Sequence, residues 1–140
     1  MVAANIMGMA EALRVGSTIA DALKALKDSE VAPVVDGEGR LVGQIEARDL
    51  LKGLSVLESD GALNLSDGVA GLEGRKVEDL MERAFVHTGP EAEASSVMAL
   101  MEGKKALSVF VVDDGMRLLG RITPKDMLER IWEYRERKGR

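Results

Sequence analysis

The chain has 140 residues, enough to bury a sizeable core as one domain or as two small units that share a core. It contains no cysteine, which excludes disulfides and thiolate metal sites and fits a reducing compartment. Its 19 basic and 24 acidic residues give a net charge of −5, which disfavours broad binding to nucleic acids or anionic membranes. We find no apolar run of transmembrane length and no signal-peptide pattern, and therefore expect a cytoplasmic protein.

The first part of the chain predicts a strand, a helix, a hairpin and a second helix. An opening turn, "NIM" at 5–7, precedes a short strand candidate, "ALRV" at 12–15. The strands "VAPVVD" and "RLVGQI" then flank turn residues 36–39, which is typical of a hairpin. We interpret Asp36, like Asp113 and Asp114 later in the chain, as a turn former. Two apolar stripes predict helices that face a core, one before the hairpin and one after it: Ile19, Ala22, Leu23 and Leu26, then Leu50, Leu51 and Leu54.

Residues 55–76 have four glycines and no clean period, which is typical of a linker. After them the same order of elements returns, with an opening turn "DLM" at 79–81 and a strand candidate "AFVH" at 84–87. The helical stripes of this part are Ala94, Val97, Met98 and Met101, then Met127, Leu128 and Ile131. We predict a repeat at 1–58, a linker at 59–76 and a second repeat at 77–137.

The duplication is visible residue by residue when 32–54 is aligned with 109–131 at a constant offset of 77. Each copy reads strand, helix, strand, strand, helix, and two short helices do not cover its sheet. We therefore expect the copies to complete one core. The identical pairs are Val34/Val111, Val35/Val112, Asp36/Asp113, Arg40/Arg117, Leu41/Leu118, Gly43/Gly120, Ile45/Ile122, Asp49/Asp126 and Leu51/Leu128.

This order of motifs resembles a tandem pair of cystathionine β-synthase (CBS) domains, known as a Bateman module. The likeness lies in "VEDLM" (77–81), "VFVVDDGMRLLG" (109–120) and "GRITPKDML" (120–128), with weaker counterparts in the first copy. It implies an α/β (α+β) fold in which two β-α-β-β-α repeats pack with pseudo-twofold symmetry and leave clefts between them. It also implies a non-catalytic, dimerising regulator that binds AMP, ADP, ATP or S-adenosylmethionine.

The second copy carries the complete ligand motif of that family, Gly120 to Asp126. The resemblance implies that Asp126 bonds the ribose hydroxyls and that Thr123 holds ribose or phosphate. The same residues also suit a helix start, because Thr123 is a good N-cap and Asp126 can reach back to it. Arg121 and Lys125 add positive charge for a phosphate. By family position, Val86, His87 and Gly89 are further ligand contacts.

The first copy departs from the motif, since Glu46 replaces the hydroxyl residue. A glutamate is a poor N-cap and repels a phosphate. Asp49 and the basic Arg48 remain as ligand candidates. We therefore predict unequal sites, with the nucleotide at Thr123 and Asp126. The Glu46 site is expected to be empty, to take an uncharged adenosyl group, or to pair Glu46 with a cation.

Other functions are less well supported by the sequence. His87 is the sole histidine and has no partners at metal-site or catalytic-triad spacing. Trp132 and Tyr134 are candidates for a homodimer contact. The alternative to a sensor is a ligand-free dimerising scaffold for a regulated protein whose identity the sequence does not give. A nucleic-acid accessory using the basic C-terminal helix ranks third, and paired ACT domains would need another strand after the last helix.

Overall fold

Both copies form a three-stranded sheet with helices in the computed structural model, which describes residues 1–56 and 70–139. Residues 70–73 are also helical. In chain order the elements are α1 Ala3–Ile6, β1 Leu13–Arg14, α2 Ile19–Ala25, β2 Val31–Val35, β3 Leu41–Glu46, α3 Ala47–Val56, α4 Val77–Leu80, β4 His87–Thr88, α5 Ala94–Lys104, β5 Val109–Val112, β6 Leu118–Ile122 and α6 Pro124–Lys138.

The chain divides into two compact units that cut across the sequence repeat. The terminal unit comprises Met1–Ala10 and Phe85–Arg140, and the central unit comprises Glu11–Ala84. Each unit therefore joins the sheet of one copy to the short helix that opens the other copy, α1 in the terminal unit and α4 in the central unit. The predicted repeat and linker boundaries stay predictions, and 57–69 lie outside the described residues.

The two sheets have the same topology. In the central unit β1 runs parallel to β2, and β2 pairs antiparallel with β3. In the terminal unit β4, β5 and β6 repeat that arrangement. The register shifts at the same place in both hairpins, between Val34 and Val35 and between Val111 and Val112. The predicted mixed fold of two repeats, each with a hairpin, is confirmed.

The repeated aspartate of each hairpin turn has a structural task. Asp36 Oδ1 accepts the backbone N–H groups of Glu38 and Arg40 at 2.9 and 3.0 Å. Asp113 Oδ1 accepts those of Gly115 and Arg117, both at 2.9 Å. A short side chain that bonds nearby backbone in this way fixes a tight turn. The sequence interpretation of these aspartates as turn formers is correct.

Each predicted opening turn is a one-turn helix whose following residues pair with the last strand of the unit. Gly8 exchanges two backbone hydrogen bonds with Arg121, at 2.9 and 3.1 Å. Glu82 exchanges two with Gln44, at 2.8 and 2.9 Å. The chain passes so close to β6 and β3 that only glycine fits at the adjacent strand position, Gly120 or Gly43.

Each unit has its own apolar core. In the terminal unit its buried members include Ile6, Val97, Val111, Ile122 and Met127. In the central unit they include Ile19, Ala22, Val34, Ile45 and Leu50.

Four residues predicted to face a core are exposed instead: Leu23 at 55%, Met98 at 38%, Leu51 at 63% and Leu128 at 65%. These four positions correspond pairwise between the copies. Each predicted apolar stripe included one residue too many, because each helix contacts its sheet along a narrow line.

The last helix, α6, continues to Lys138, so that the region after the second hairpin is helical, as predicted. Within the described residues no strand follows α6, which is where paired ACT domains would need one. Within the described residues no helix combines the length and apolarity needed to cross a membrane.

Candidate functional site

The Thr123–Asp126 turn of the terminal unit is held by two reciprocal hydrogen bonds. Thr123 Oγ1 accepts the Asp126 backbone N–H at 3.1 Å, and Asp126 Oδ2 accepts the Thr123 N–H at 2.9 Å. Pro124 occupies the first helical turn, where a missing N–H costs nothing. The predicted cap is confirmed, and the short Asp126 side chain does reach back. The cap fixes both polar side chains at the start of α6.

A row of three residues crosses the terminal sheet beside this turn. His87 pairs with Phe110, and Phe110 pairs with Arg121. Residues in register on neighbouring strands project to the same face of a sheet. Arg121 is half-buried, and burial lowers the pKa of its guanidinium while the charge of Asp126 opposes that shift. The row brings a desolvated cation and an imidazole to one face, near a carboxylate.

The remaining predicted residues of the terminal unit have other surroundings. Lys125 is 84% exposed, and its ammonium lies 3.8 Å from Glu129 on the same helix. Val86 packs against the apolar core, and its carbonyl accepts the Phe110 N–H at 3.0 Å. His87 is exposed, with its ring 5.6 Å from that of Phe85. A side chain added at Gly89 would meet nothing within 4 Å, so the space beside it is open.

The equivalent turn in the central unit keeps half of the cap. Asp49, which is 3% exposed, accepts the Glu46 backbone N–H at 2.7 Å through Oδ2. Glu46 supplies no hydroxyl to return the bond. Its carboxylate instead pairs with Arg48, at 3.2 Å. Arg48 thus offsets the charge of Glu46 within the chain, and the three outcomes expected for the occupancy of this site stay predictions.

A third carboxylate joins the central site from the segment after α4. Oxygens of Glu46, Asp49 and Glu82 lie within 4.8 Å of one another, a spacing that also suits a metal ion. Arg48 lies 3.8 Å from Glu82 and is the counter-ion that the structure places beside these acids. Burial is the largest of the effects that raise the pKa of Glu82. The charge of Asp49, a hydrogen bond with Asp49 and the charge of Glu46 raise this pKa further, and the charge of Arg48 lowers it.

Sequence reasoning missed Glu82 as part of this site. The opening turns of the two copies align at an offset of 74, and one residue beyond them Glu82 falls opposite Gly8. Extending that alignment would have shown that Glu82 adds a carboxylate to the central site, whereas Gly8 offers only its backbone to the terminal site. The predicted residues also fall into different units: Arg48 and Asp49 belong to the central unit, and the others to the terminal unit.

Comparison with known proteins agrees with this arrangement. The family model for the CBS domain matches residues 10–56 and 77–133. The inosine-5'-monophosphate dehydrogenase of Methanocaldococcus jannaschii is 30% identical over 129 residues. That match covers 88% of this chain but only 22% of the enzyme.

Two solved structures show the same fold over almost the whole chain. A putative acetoin utilization protein (AcuB) from Vibrio cholerae aligns with a TM-score of 0.80 and 20% identity, covering 99% of this chain and 96% of that one. CBSX2, solved in complex with AMP, aligns with a TM-score of 0.77 and 22% identity, covering 96% and 98%. With two matched regions spanning most of its length, this chain belongs to the CBS domain family, of which it carries a tandem pair.

Proposed function

We propose that the chain is a regulatory module, not an enzyme, that binds an adenosine-containing ligand at the Thr123–Asp126 turn. The observation that carries the proposal is the capped turn with the half-buried Arg121 close to Asp126. The cap uses one carboxylate oxygen, Oδ2, so we assign Oδ1 to the ribose hydroxyls and the Thr123 hydroxyl proton to ribose or phosphate. The AMP complex of the related CBSX2 supports this ligand class, which comprises AMP, ADP, ATP and S-adenosylmethionine.

Charge supports the choice of the terminal unit as the nucleotide site. The central site places Glu46, Asp49 and Glu82 around one guanidinium, Arg48, and this excess of negative charge opposes a phosphate. Arg121 of the terminal site corresponds to Gln44 of the central site, and Gly8 of the terminal site corresponds to Glu82 of the central site. We therefore infer that a phosphate-bearing ligand prefers the terminal site.

Occupancy is proposed to act on a partner protein through a change of conformation. Arg121 lies beside the ligand turn, and its backbone holds the Gly8 segment by two hydrogen bonds. A ligand that binds one arrangement of this segment more tightly shifts the population toward it, and a partner that contacts the segment detects the change.

The cysteine-free sequence supports the cytoplasm as the compartment.

Removing both polar groups of the turn is expected to weaken nucleotide binding. Thr123→Ala with Asp126→Ala deletes hydrogen bonds to the ligand, of which the carboxylate's is worth about 1.5–3 kcal/mol, so the dissociation constant should rise about 10-fold to 100-fold. Isothermal titration calorimetry with AMP, ADP, ATP and S-adenosylmethionine measures it. A thermal-shift screen finds the ligand first, because saturation at a hundred times the dissociation constant stabilises by about 2.7 kcal/mol.

The matched control for this experiment is Asp49→Ala, which removes the equivalent carboxylate from the central site. It is expected to leave nucleotide affinity within about twofold, since no ligand hydrogen bond is lost. Loss of binding in Asp49→Ala with retention in the Thr123 and Asp126 variant would assign the sites the other way round. A wild-type protein that none of the four ligands stabilises at millimolar concentration would contradict the sensor function.

A second candidate, the dimerising scaffold, is favoured by the exposed apolar residues of the helices. The central unit exposes Leu23 and Leu51, and the terminal unit exposes the equivalent residues Met98 and Leu128. Trp132 lies one turn beyond Leu128 and is 55% exposed. A homodimer interface uses the same patch on both copies of a chain. We propose that a second copy of this chain covers the helical face that carries Leu128 and Trp132. Tyr134 is also exposed but lies on another face of α6.

Leu128→Glu is expected to convert the proposed dimer to a monomer, because it places a charge on the apolar face. Analytical ultracentrifugation across a concentration series measures the change. Leu107→Glu is the matched control: Leu107 is an exposed leucine of the same unit at 42%, and extending the offset of 77 places a glutamate, Glu30, at its position in the first copy. A monomeric wild-type protein, or a dimeric Leu128→Glu variant, would refute this interface.

A further inference from the structure

The terminal unit contains a concavity away from the Thr123 turn, where the start of the chain meets the last three turns of α6. Its volume is about 570 Å³, within the range of small-molecule sites. Every lining residue belongs to the terminal unit. The lining is formed by Met1, Asn5, Arg130, Tyr134, Arg137 and Lys138.

The charge of this concavity is opposite to that of the protein as a whole. Three of its six lining residues are cationic, although the net charge of the chain is −5. Arg130 and Arg137 share one carboxylate, that of Glu133, at 3.3 and 4.0 Å. The Lys138 ammonium lies 5.7 Å from the centre of the Tyr134 ring. Among the described residues, the ion pairs of Arg130 and Arg137 are both with Glu133, so that the three cations of the lining exceed the negative charge paired with them.

Stabilisation of the helix end does not account for this arrangement. Cations in the last turn of a helix do interact favourably with its dipole, and Arg135, Arg137 and Lys138 all lie there. Arg130, however, precedes that turn, and the spacing of 130, 134, 137 and 138 places these residues on one face of α6. Arg135 lies on a different face, with its guanidinium 5.3 Å from the centre of the Trp132 ring.

Two neutral groups add hydrogen-bond donors to the same concavity. Asn5 uses its side-chain oxygen to accept the Val2 backbone N–H at 3.0 Å, which turns the amide to a fixed orientation and leaves its NH₂ group to donate. Tyr134 contributes a hydroxyl and an aromatic ring. Cations and neutral donors around one cavity are the groups that bind phosphate oxygens in proteins.

We propose that this concavity binds a small molecule carrying two or more phosphate groups, separately from the ligand of the Thr123 turn. Its recognition elements are the guanidiniums of Arg130 and Arg137 and the Lys138 ammonium, with Asn5 as a neutral donor. The proposal does not rest on the proposed function, because it concerns the C-terminal part of α6 and a different set of residues.

Titration with inorganic tripolyphosphate tests the proposal. Calorimetry on the full chain should show that Arg137→Gln with Lys138→Gln raises the dissociation constant about tenfold or more, since two charge-assisted hydrogen bonds are lost. Arg135→Gln is the matched control, because it removes the same charge from the same helical turn outside the concavity, and it should change the constant less than twofold. Amide chemical shifts of Asn5 and Tyr134 should move in the wild-type protein.

Three results would overturn the proposal. The first is the absence of binding to wild-type protein at millimolar tripolyphosphate. The second is an equal loss of affinity in the Arg135→Gln control, which would mean that the general charge of the helix is responsible. The third is retention of affinity in the Arg137 and Lys138 double variant but loss in Thr123→Ala with Asp126→Ala, which would place the probe at the other site.

Discussion

Gly120→Ala is expected to lower the free energy of unfolding by about 2 kcal/mol, near the middle of the range for overpacked sites. An added Cβ would lie 2.7 Å from the Gly8 carbonyl oxygen and 2.9 Å from Met7 Sδ. The methionine can move aside, but the backbone oxygen cannot move without breaking the two hydrogen bonds between Gly8 and Arg121. Gly43→Ala in the central unit should have a similar effect, because its Cβ would lie 2.9 Å from the backbone carbonyl oxygen of Glu82.

Urea unfolding of both variants measures these losses, with Gly103→Ala as a control of opposite sign. Gly103 lies in α5, and an added Cβ there would meet nothing within 4 Å. Alanine in a helix is more stable than glycine by about 0.5–1 kcal/mol, so this variant should gain stability. If the urea midpoints of Gly120→Ala and Gly43→Ala equal that of the wild-type protein, the Gly8 and Glu82 segments do not pass as close to the strands as described.

Glu82→Gln is expected to stabilise the protein at neutral pH and to remove part of its pH dependence. Burial and the neighbouring Asp49 and Glu46 raise the folded-state pKa of Glu82 above its ordinary value of 4.5, despite the opposing charge of Arg48. The protonated Glu82 therefore favours the folded state. This stabilisation is fully present below pH 4.5 and is lost as the pH rises through the raised pKa. A glutamine resembles the protonated acid at every pH.

Urea unfolding of both proteins between pH 4 and pH 7.5 tests this expectation. The stability of Glu82→Gln minus that of wild type should increase with pH over the window just above 4.5 and then level off. Glu11→Gln, an exposed glutamate of the same unit, should follow the wild-type curve through that window. A Glu82→Gln variant that is less stable than wild type at pH 7, or a difference independent of pH, would show that Glu82 is ionised without cost beside Asp49 and Glu46.

The sequence determined the repeated architecture because the repeat concerns local interactions. Strand runs, hairpin turns and a Thr-Pro helix start depend on neighbouring residues, so that Asp36 and Asp113 were recognised as turn formers and Thr123 as an N-cap. The same local chemistry distinguished Glu46 from Thr123 and predicted unequal sites. The exposure of Leu51 and Leu128 was not predicted, because periodicity gives the direction of an apolar face but not the width of the contact that covers it.

Only the tertiary structure decided which segments join which sheet. Residues 1–10 group with the second copy, and α4 groups with the first, because two backbone hydrogen bonds tie each segment to a strand distant in sequence. This exchange brings Glu82 to Asp49 and Glu46, and it brings Asn5 to the basic face of α6. Contacts between residues far apart in the chain have no periodic signature, so the composition of both sites depended on the fold.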